Sequence, residues 1–421
     1  MGARQVGKTW LMEEFARRDF KEDFVVVNFM RRQSLCRQLE SMDIDPKGLV
    51  RLLQTATGRR IVPGRTLLIL DEIQECPSAL TSLKFFYEDM PELAVMAAGS
   101  LLGLSFGSDV ESKKGSFPVG KVDRINISPM TFSEFLIANE KTALLEAIDA
   151  GDWPCVELLS GELELLLKNY LIVGGMPEVV GDWVETGSLV EARRTQQRIL
   201  ADYADDFKKH APLDLLPKIR LILESIPAQL AKANEKFRYA NVRHGARARD
   251  YETALEWLKD AGLLHRLRRV CPPGLPLSHY MDSGSFKVFV HDVGLLGAMS
   301  SLDPSIVLEG NSLFSHFKGA LTEQFVLQEL TALGIESGYW TPEVGISEVD
   351  FVVQGRKAVY PVEVKSATNT KAKSLGVYID AYQPTFAVKT SLKNFSMSRT
   401  VRSLPLYAFS RWIGKWIQES E

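Results

Sequence analysis

The sequence predicts an α/β protein with a parallel sheet near its N-terminus, a helical middle and a second α/β region at its C-terminus. The first observation is that residues 1–130 alternate short, fully apolar runs with helical stretches; the runs are Phe24–Phe29, Thr66–Leu70 and Leu93–Ala98. Such runs are typical of strands buried on both faces of a parallel sheet. The second is the helical spacing of leucines in residues 131–212. The third is that, from about residue 310, a helix precedes alternating strand candidates.

Length and composition limit the class of protein. The chain has 421 residues, 45% hydrophobic and 24% charged, with a net charge of −3. These values exclude a mainly disordered or collagen-like chain. The four scattered cysteines favour a reducing cytosol, and the longest uncharged run, Leu93–Ser108, is too short to span a membrane. We therefore expect a cytoplasmic protein without a membrane partner, in four segments: 1–130, 131–212, 213–275 and 276–421.

A phosphate-binding loop is predicted at the start of the chain. The segment Gly2–Thr9 (GARQVGKT) matches GxxxxGK[ST]. Gly2 and Gly7 permit a backbone cradle for phosphate oxygens, Lys8 would reach the β- and γ-phosphates, and the Thr9 hydroxyl would hold Mg²⁺. By itself the octapeptide is also compatible with an ordinary glycine-rich turn.

A second motif follows at the distance expected behind such a loop. The apolar strand of residues 67–70 ends in Asp71 and Glu72. Asp71 would hold Mg²⁺, directly or through water, and Glu72 would orient and deprotonate the attacking water. The third strand ends at Ser100, which could sense the γ-phosphate. Together these residues predict a site for ATP and Mg²⁺.

Residues 1–130 resemble the P-loop module of the AAA-type predicted ATPases of bacteria and archaea. The resemblance continues through three narrower segments, Pro118–Arg124, Ser128–Phe135 and Gly174–Glu178. It implies that Arg124 is a γ-phosphate sensor or arginine finger and that Gly174–Glu178 (GGMPE) lies near the nucleotide base. The alternatives are a surface arginine and an ordinary helix-ending turn. It also implies a C-terminal domain of unknown function with a core like that of restriction endonucleases.

The start of the chain departs from this family. The resemblance implies a buried central strand before the loop, but only Met1 precedes Gly2. We expect its loss to leave neighbouring strands about 10 Å apart, because strands pair at about 4.8 Å. We therefore expect poor ATP binding or a disordered loop, and favour a wrongly assigned start codon or a truncated gene.

The middle of the chain carries a local excess of positive charge. Residues 232–269 contain ten Lys/Arg and five Asp/Glu. A predicted amphipathic helix over Asp250–Ala261 precedes a strand-like stretch, Leu263–Val270. Helices followed by a short hairpin describe a winged helix, a helix-turn-helix variant, and the family resemblance supports one here. Its partner could be the DNA backbone; the alternative is a purely structural winged helix with solvated basic residues.

Carboxylates and a lysine recur near the C-terminus in a pattern that suggests a nuclease. In the strand Val359–Lys365, Glu363 and Lys365 are two residues apart and share a face, and Asp350 on the preceding strand can join them. Two carboxylates would bind Mg²⁺ against phosphate, and Lys365 would position or activate water. By resemblance to the PD-(D/E)xK fold, Glu323 is the fourth member. Two alternatives remain: an ordinary charged hairpin, or a nuclease-like fold without turnover.

These observations predict an ATP-dependent, Mg²⁺-requiring enzyme that hydrolyses ATP and acts on or near nucleic acid. The alternative is a nucleotide-dependent switch whose C-terminal domain is an inactive docking module. ATP is the expected ligand, DNA is a candidate partner, and the sequence leaves oligomeric assembly open.

Overall fold

The computed structural model describes residues 1–42, 45–99, 120–232, 235–309, 315–366 and 372–419. Within these ranges the chain divides into two compact units. The first comprises Met1–Ile127 with Asp260–Gly262, and the second comprises Ser128–Lys259 with Leu263–Glu421. No helix in the described part of the chain combines the length and the apolar character that crossing a bilayer requires.

The first unit alternates strands and helices, as the apolar runs predict. Its strands are β1 (Phe24–Asn28), β2 (Leu67–Asp71) and β3 (Ala94–Ala97). Its helices are α1 (Lys8–Phe15), α2 (Gln33–Glu40), α3 (Pro46–Thr57) and α4 (Pro77–Asp89). Local sequence fixes their ends: the Asp45 side chain accepts hydrogen bonds from two backbone N–H groups at the start of α3, and Gly58 ends that helix in the left-handed conformation.

Both faces of this sheet are buried. Leu68 and Leu70 of β2 belong to a core that includes residues of α2, α3 and α4. Leu67 and Ile69 of the same strand belong to a second core that includes Met12 of α1. Because successive strand residues point to opposite faces, every residue of β2 is buried. This explains why the strand is a continuous apolar run.

The three strands pair in parallel in the order β1-β2-β3. The register places Asn28 opposite Asp71, so the carboxyl ends of β1 and β2 meet at one edge of the sheet. The expected 10 Å gap does not interrupt these strands, since each pairs directly with its neighbour. The residue before the loop pairs elsewhere: the Ile127 N–H donates to the Met1 carbonyl at 2.7 Å.

The second unit begins with a mainly helical stretch, as residues 131–212 predict. Its helices are α5 (Phe132–Ala138), α6 (Thr142–Ala150), α7 (Trp153–Leu158), α8 (Ser160–Val173), α9 (Pro177–Thr186) and α10 (Leu189–His210). α5 starts with a capping box, in which the Thr131 side chain and the Glu134 side chain each bond the other's backbone N–H. This capping box lies within Ser128–Phe135, one of the segments that carry the family resemblance.

Two of the segments that carry the family resemblance, Ser128–Phe135 and Gly174–Glu178, pack against each other inside the second unit. The Met130 N–H donates to the Gly175 carbonyl at 2.7 Å, and the Gly175 N–H donates to the buried Asp292 carboxylate at 2.6 Å. A Cβ on Gly175 would lie 2.0 Å from the Met130 carbonyl oxygen. The glycine is therefore required by a close backbone approach. The implied proximity of GGMPE to a nucleotide base stays a prediction.

The rest of the second unit consists of helices around a mixed sheet. The helices are α11 (Leu216–Leu230), α12 (Tyr239–Val242), α13 (Ala248–Asp260), α14 (Val293–Met299), α15 (Pro304–Glu309), α16 (Ser315–Ala332), α17 (Lys373–Tyr382) and α18 (Phe409–Glu419). The strands are β4 (Leu264–Val270), β5 (Met281–Val290), β6 (Ser337–Trp340), β7 (Val349–Gln354), β8 (Val359–Val364), β9 (Ala387–Ser391), β10 (Ser396–Met397) and β11 (Val401–Pro405).

These eight strands form one sheet in the order β10-β11-β9-β8-β7-β6-β4-β5. β7 and β8 are an antiparallel hairpin, and β8 then pairs in parallel with β9. The strand predicted from residues 263–270 is β4, which pairs antiparallel with β5 and in parallel with β6. The expected wing is thus the edge of the larger sheet. The predicted boundary at residue 275 falls between its two strands, and the winged helix and the four-segment division stay predictions.

Candidate functional site

The glycine-rich loop at residues 2–7 has the backbone that its glycines predict. Gly2 and Gly7 have φ values of 148° and 85°, and Gln5 has a φ of 63°. Residues other than glycine rarely adopt such φ values. At Gly2 space is also short, because a Cβ there would lie 2.3 Å from the Ile127 carbonyl oxygen. Gly7 is the N-cap of α1, so the loop runs directly into a helix N-terminus, where backbone N–H groups favour anions.

Lys8 lies over its own loop. Its ammonium donates to the carbonyl oxygens of Gly2, at 3.0 Å, and Ala3, at 2.5 Å. Burial lowers the Lys8 pKa to about 8, although the nearby carboxylates of Glu72 and Asp71 oppose that shift. The side chain therefore remains mainly protonated at neutral pH. It is a partly buried cation, to which an incoming phosphate would be attracted.

Thr9 and Asp71 are brought together by the fold. The Thr9 hydroxyl lies 3.3 and 3.2 Å from the two carboxylate oxygens of Asp71, a side chain that is only 4% exposed. The amide of Asn28 donates to the same carboxylate at 2.9 Å. Asn28 was missed in the sequence, although its place at the end of β1 puts it on the same sheet edge. Hydroxyl and carboxylate oxygens are the ligands that Mg²⁺ prefers, so these residues fit that ion.

The remaining predicted residues of this site have mixed outcomes. Glu72 follows β2 in the left-handed conformation, with a φ of 50°, and accepts a hydrogen bond from the Gln74 amide. Arg124 lies exposed in a stretch without regular secondary structure. Ser100 lies outside the described residues. The roles of Ser100 and Arg124 at the γ-phosphate therefore stay predictions.

The predicted C-terminal residues also meet, at the open end of the β7–β8 hairpin. The ladder pairs Phe351 with Val362, so the next residues along, Asp350 and Glu363, come opposite each other. Lys365 contacts the Glu363 carboxylate at 2.7 Å, and Asp350 accepts a hydrogen bond from the Val364 N–H at 2.7 Å.

Glu323 points at a lysine that the sequence argument missed. Lys287 on β5 is 1% exposed, and its ammonium lies 3.0 Å from Glu323, 2.9 Å from Glu235 and 2.8 Å from Glu348. The sequence offers one indication of its role, because Lys287 is a single lysine within the otherwise apolar run Phe286–Val290. A charged residue in a buried run requires a partner, but the run does not indicate which partner. We call these five carboxylates and two lysines the acidic cluster: Glu235, Lys287, Glu323, Glu348, Asp350, Glu363 and Lys365.

The acidic cluster carries three excess negative charges when all its groups are ionised, because five carboxylates oppose two lysines. Burial, with the nearby charges of Glu323 and Glu363, raises the Asp350 pKa well above its usual value. Burial also raises the pKa of Glu363. Burial alone would lower the Lys287 pKa, but the surrounding carboxylates outweigh it and raise that pKa. These shifts favour the charged form of Lys287 and the protonated forms of Asp350 and Glu363.

A divalent cation is implied here by the fold resemblance, and its fit can be tested on these residues. Glu363 is 4% exposed, and its Oε2 atom is buried without a hydrogen-bond partner. A cation would satisfy that oxygen and offset the excess charge. In the described ranges, however, no group of three or more His, Cys, Asp and Glu side chains is arranged to hold a metal. We therefore limit the residues that fit a cation to Asp350 and Glu363. Cation binding by Glu323 stays a prediction.

The basic stretch of residues 232–269 is partly neutralised within the second unit. Arg266, with a side chain 7% exposed, pairs with Glu252 at 2.9 Å and Glu256 at 2.8 Å. Arg269 donates to the backbone carbonyls of Thr341 and Pro342. The predicted apolar face of α13 is buried, which accounts for its pattern by packing alone. DNA binding by this segment stays a prediction.

Comparison with known proteins gives matches along most of the chain. Residues 1–136 match a domain family described as "AAA domain". Residues 164–306 and 318–409 match two domains of unknown function, DUF8612 and DUF4143. No protein with a curated description matches. A solved Walker-type ATPase of Pyrococcus abyssi is similar over 71% of this chain and 89% of its own, at 13% identity and a TM-score of 0.42.

The match to the AAA domain covers the loop, β2 and the segment up to α5, which are the parts described above. It confirms the coarse form of the resemblance drawn from the motifs. Residues 1–136 are thus similar to the family described as "AAA domain".

Proposed function

We propose that this protein binds ATP with Mg²⁺ and hydrolyses it in its N-terminal unit. The observation that carries the proposal is the contact between the Thr9 hydroxyl and the Asp71 carboxylate, at 3.2 and 3.3 Å, near the partly buried ammonium of Lys8. Residues far apart in the sequence thus bring a hydroxyl, a carboxylate and a lysine to one helix N-terminus. That combination suits a magnesium-bound polyphosphate.

Each residue has a distinct part in this chemistry. Lys8 would exchange its bonds to the Gly2 and Ala3 carbonyls for phosphate oxygens. Thr9 and Asp71 would hold Mg²⁺, which supplies neutralisation of the phosphate charge when bound. Glu72, held by the Gln74 amide, would accept a proton from the attacking water.

The test is nucleotide binding and turnover by the full chain. We expect Lys8→Ala to weaken ATP binding at least tenfold, whereas Lys47→Ala, at an exposed position of the same unit, leaves it unchanged. We expect Glu72→Gln to retain binding while reducing turnover by at least about a hundredfold, the usual contribution of a general base. Unchanged ATP affinity in Lys8→Ala would overturn the proposal.

We propose a second activity, Mg²⁺-dependent cleavage of nucleic acid by the acidic cluster. Three observations favour it: the contact of Lys365 with Glu363 at 2.7 Å, the position of Asp350 opposite Glu363, and the buried, unpartnered Oε2 atom of Glu363. Asp350 and Glu363 would hold the cation, which supplies charge stabilisation at the phosphate when bound. Lys365 would position the attacking water and stabilise developing negative charge.

Cleavage is tested by incubating the full chain and its Lys365→Ala variant with single-stranded DNA, duplex DNA and RNA, with Mg²⁺ or EDTA. We expect cleavage that requires Mg²⁺ and is reduced at least a hundredfold in the variant. Lys357→Ala, on the turn of the same hairpin, is the matched control. Retained ATP turnover without any cleavage would instead favour the alternative, a nucleotide-dependent switch with a docking domain.

A further inference from the structure

Lys287 is saturated by carboxylates. A lysine ammonium has three N–H donors, and the three carboxylates of Glu235, Glu323 and Glu348 lie 2.8–3.0 Å from it. They come from three separate places: the segment after α11, the middle of α16 and the residue before β7. The ring of Tyr339 also lies 5.5 Å from the ammonium. One buried lysine therefore binds three carboxylates, as a metal ion would.

The other two carboxylates of the acidic cluster are differently placed. Asp350 accepts from the Val364 N–H, and Glu363 uses one oxygen for Lys365. Its second oxygen, Oε2, is the only buried side-chain oxygen among the five carboxylates without a partner. Glu323 thus already has a cation, whereas Glu363 has an oxygen that needs one.

We propose that Lys287 is a positioning residue that acts as the fixed cation of the acidic cluster. It holds Glu235, Glu323 and Glu348, and so leaves Asp350 and Glu363 to bind a single divalent cation. Charge supports one ion rather than two. The cluster has three excess negative charges, so one divalent ion leaves one, whereas a second would make the cluster positive. This inference rests on the cation site of the proposed nuclease activity.

The first test compares two isosteric changes, measured as Mn²⁺ binding to the full chain by electron paramagnetic resonance. An Asp71→Asn background removes the cation site of the N-terminal unit. We expect one Mn²⁺ per chain, at least tenfold weaker binding in Glu363→Gln, and less than threefold weaker binding in Glu323→Gln. Equal losses in both variants, or two ions bound before any change in the cluster, would overturn the proposal.

The second test removes the lysine. Lys287→Met leaves four excess negative charges, and we expect it to bind two Mn²⁺. Arg266→Met is the matched control. It removes another buried cation that pairs with two glutamates, and Arg266 lies on β4, the strand adjacent to β5. This variant should still bind one Mn²⁺. A folded Lys287→Met chain that still binds one ion refutes the proposal. If the variant unfolds, Mn²⁺ should restore its fold, and failure to do so also refutes it.

Absence of Mn²⁺ binding in the Asp71→Asn background would remove the cation from the proposed nuclease site. The role of Lys287 would still be decided, since Lys287→Met should then bind or require one Mn²⁺. If it neither binds Mn²⁺ nor needs it to fold, Lys287 does not take the place of a cation.

Discussion

Replacing Glu235 by glutamine should make the stability of the second unit less dependent on pH. Burial, together with the adjacent Glu323 carboxylate, raises the Glu235 pKa from 4.5 to about 8, although Lys287 opposes the shift. The folded chain then keeps a proton on Glu235 that the unfolded chain has lost. Since the folded state binds the extra proton, stability falls as the pH rises from 4.5 to about 8.

The size of the effect follows from linkage. One extra proton corresponds to about 1.4 kcal/mol per pH unit. Two histidines act in the opposite direction, because desolvation lowers the pKa of His265 to about 4 and that of His291 to about 3. Their contribution levels off above pH 6.5, the ordinary pKa of histidine, and is the same in the natural chain and in a Glu235 variant. Between pH 6.5 and 8, the proton on Glu235 should by itself lower the free energy of unfolding by about 1–2 kcal/mol.

Urea unfolding followed by tryptophan fluorescence measures this quantity, because six of the seven tryptophans lie in the second unit. The natural chain should lose about 1–2 kcal/mol more than Glu235→Gln between pH 6.5 and 8. Asp350 is present in both chains, so its own titration cancels in the difference. Glu224→Gln, at an exposed glutamate paired with Arg220, should follow the natural chain. Parallel pH profiles for the natural chain and Glu235→Gln would refute the argument.

Two further predictions concern backbone packing and the phosphate loop. Gly175→Ala should destabilise the second unit by about 1–3 kcal/mol in the same unfolding assay, because its Cβ would overlap the Met130 carbonyl. Gly181→Ala, in open space on α9, should be neutral or stabilise by up to about 1 kcal/mol, and equal losses would contradict this account. ATP affinity, measured by calorimetry, should fall by up to tenfold per pH unit above pH 8, as Lys8 loses its proton. Lys8→Arg should remove that dependence if it binds ATP, and a dependence unchanged in the arginine variant would contradict the assignment.

Most of the N-terminal site could be predicted from the sequence, because its parts follow a regular geometry. Parallel strands end at a common edge, so a carboxylate at the end of β2 and a loop before α1 belong together. This is why Thr9 and Asp71 meet as expected. Asn28 was missed because an asparagine at a strand end has many ordinary explanations. Only the register of β1 with β2 places it beside Asp71.

The C-terminal site was predictable only where its residues are close in the hairpin. Glu363 and Lys365 share a face by the period of two in a strand, and Asp350 follows from antiparallel pairing. Lys287 lies on β5, which is not a neighbour of β7 or β8 in the sheet order. No local period connects such residues, so its contacts with Glu323 and Glu348 required the structure. The local pattern that predicts a wing also does not indicate that the hairpin β4–β5 continues into the larger sheet.

The charge of the acidic cluster is the property that separates the nuclease from a docking domain. A structural ion-pair network needs its charges balanced, since isolated buried charge costs several kcal/mol. This cluster is not balanced: it has three more carboxylates than lysines and an unpartnered oxygen on Glu363. An inactive docking domain has no need for that excess, which must be covered by protons at a cost in stability that rises with pH. The excess is useful only where a cation or a cationic partner replaces those protons. Measuring proton release on adding Mg²⁺ therefore addresses the distinction directly, because a cluster that releases no protons and binds no cation has its acids for structure alone.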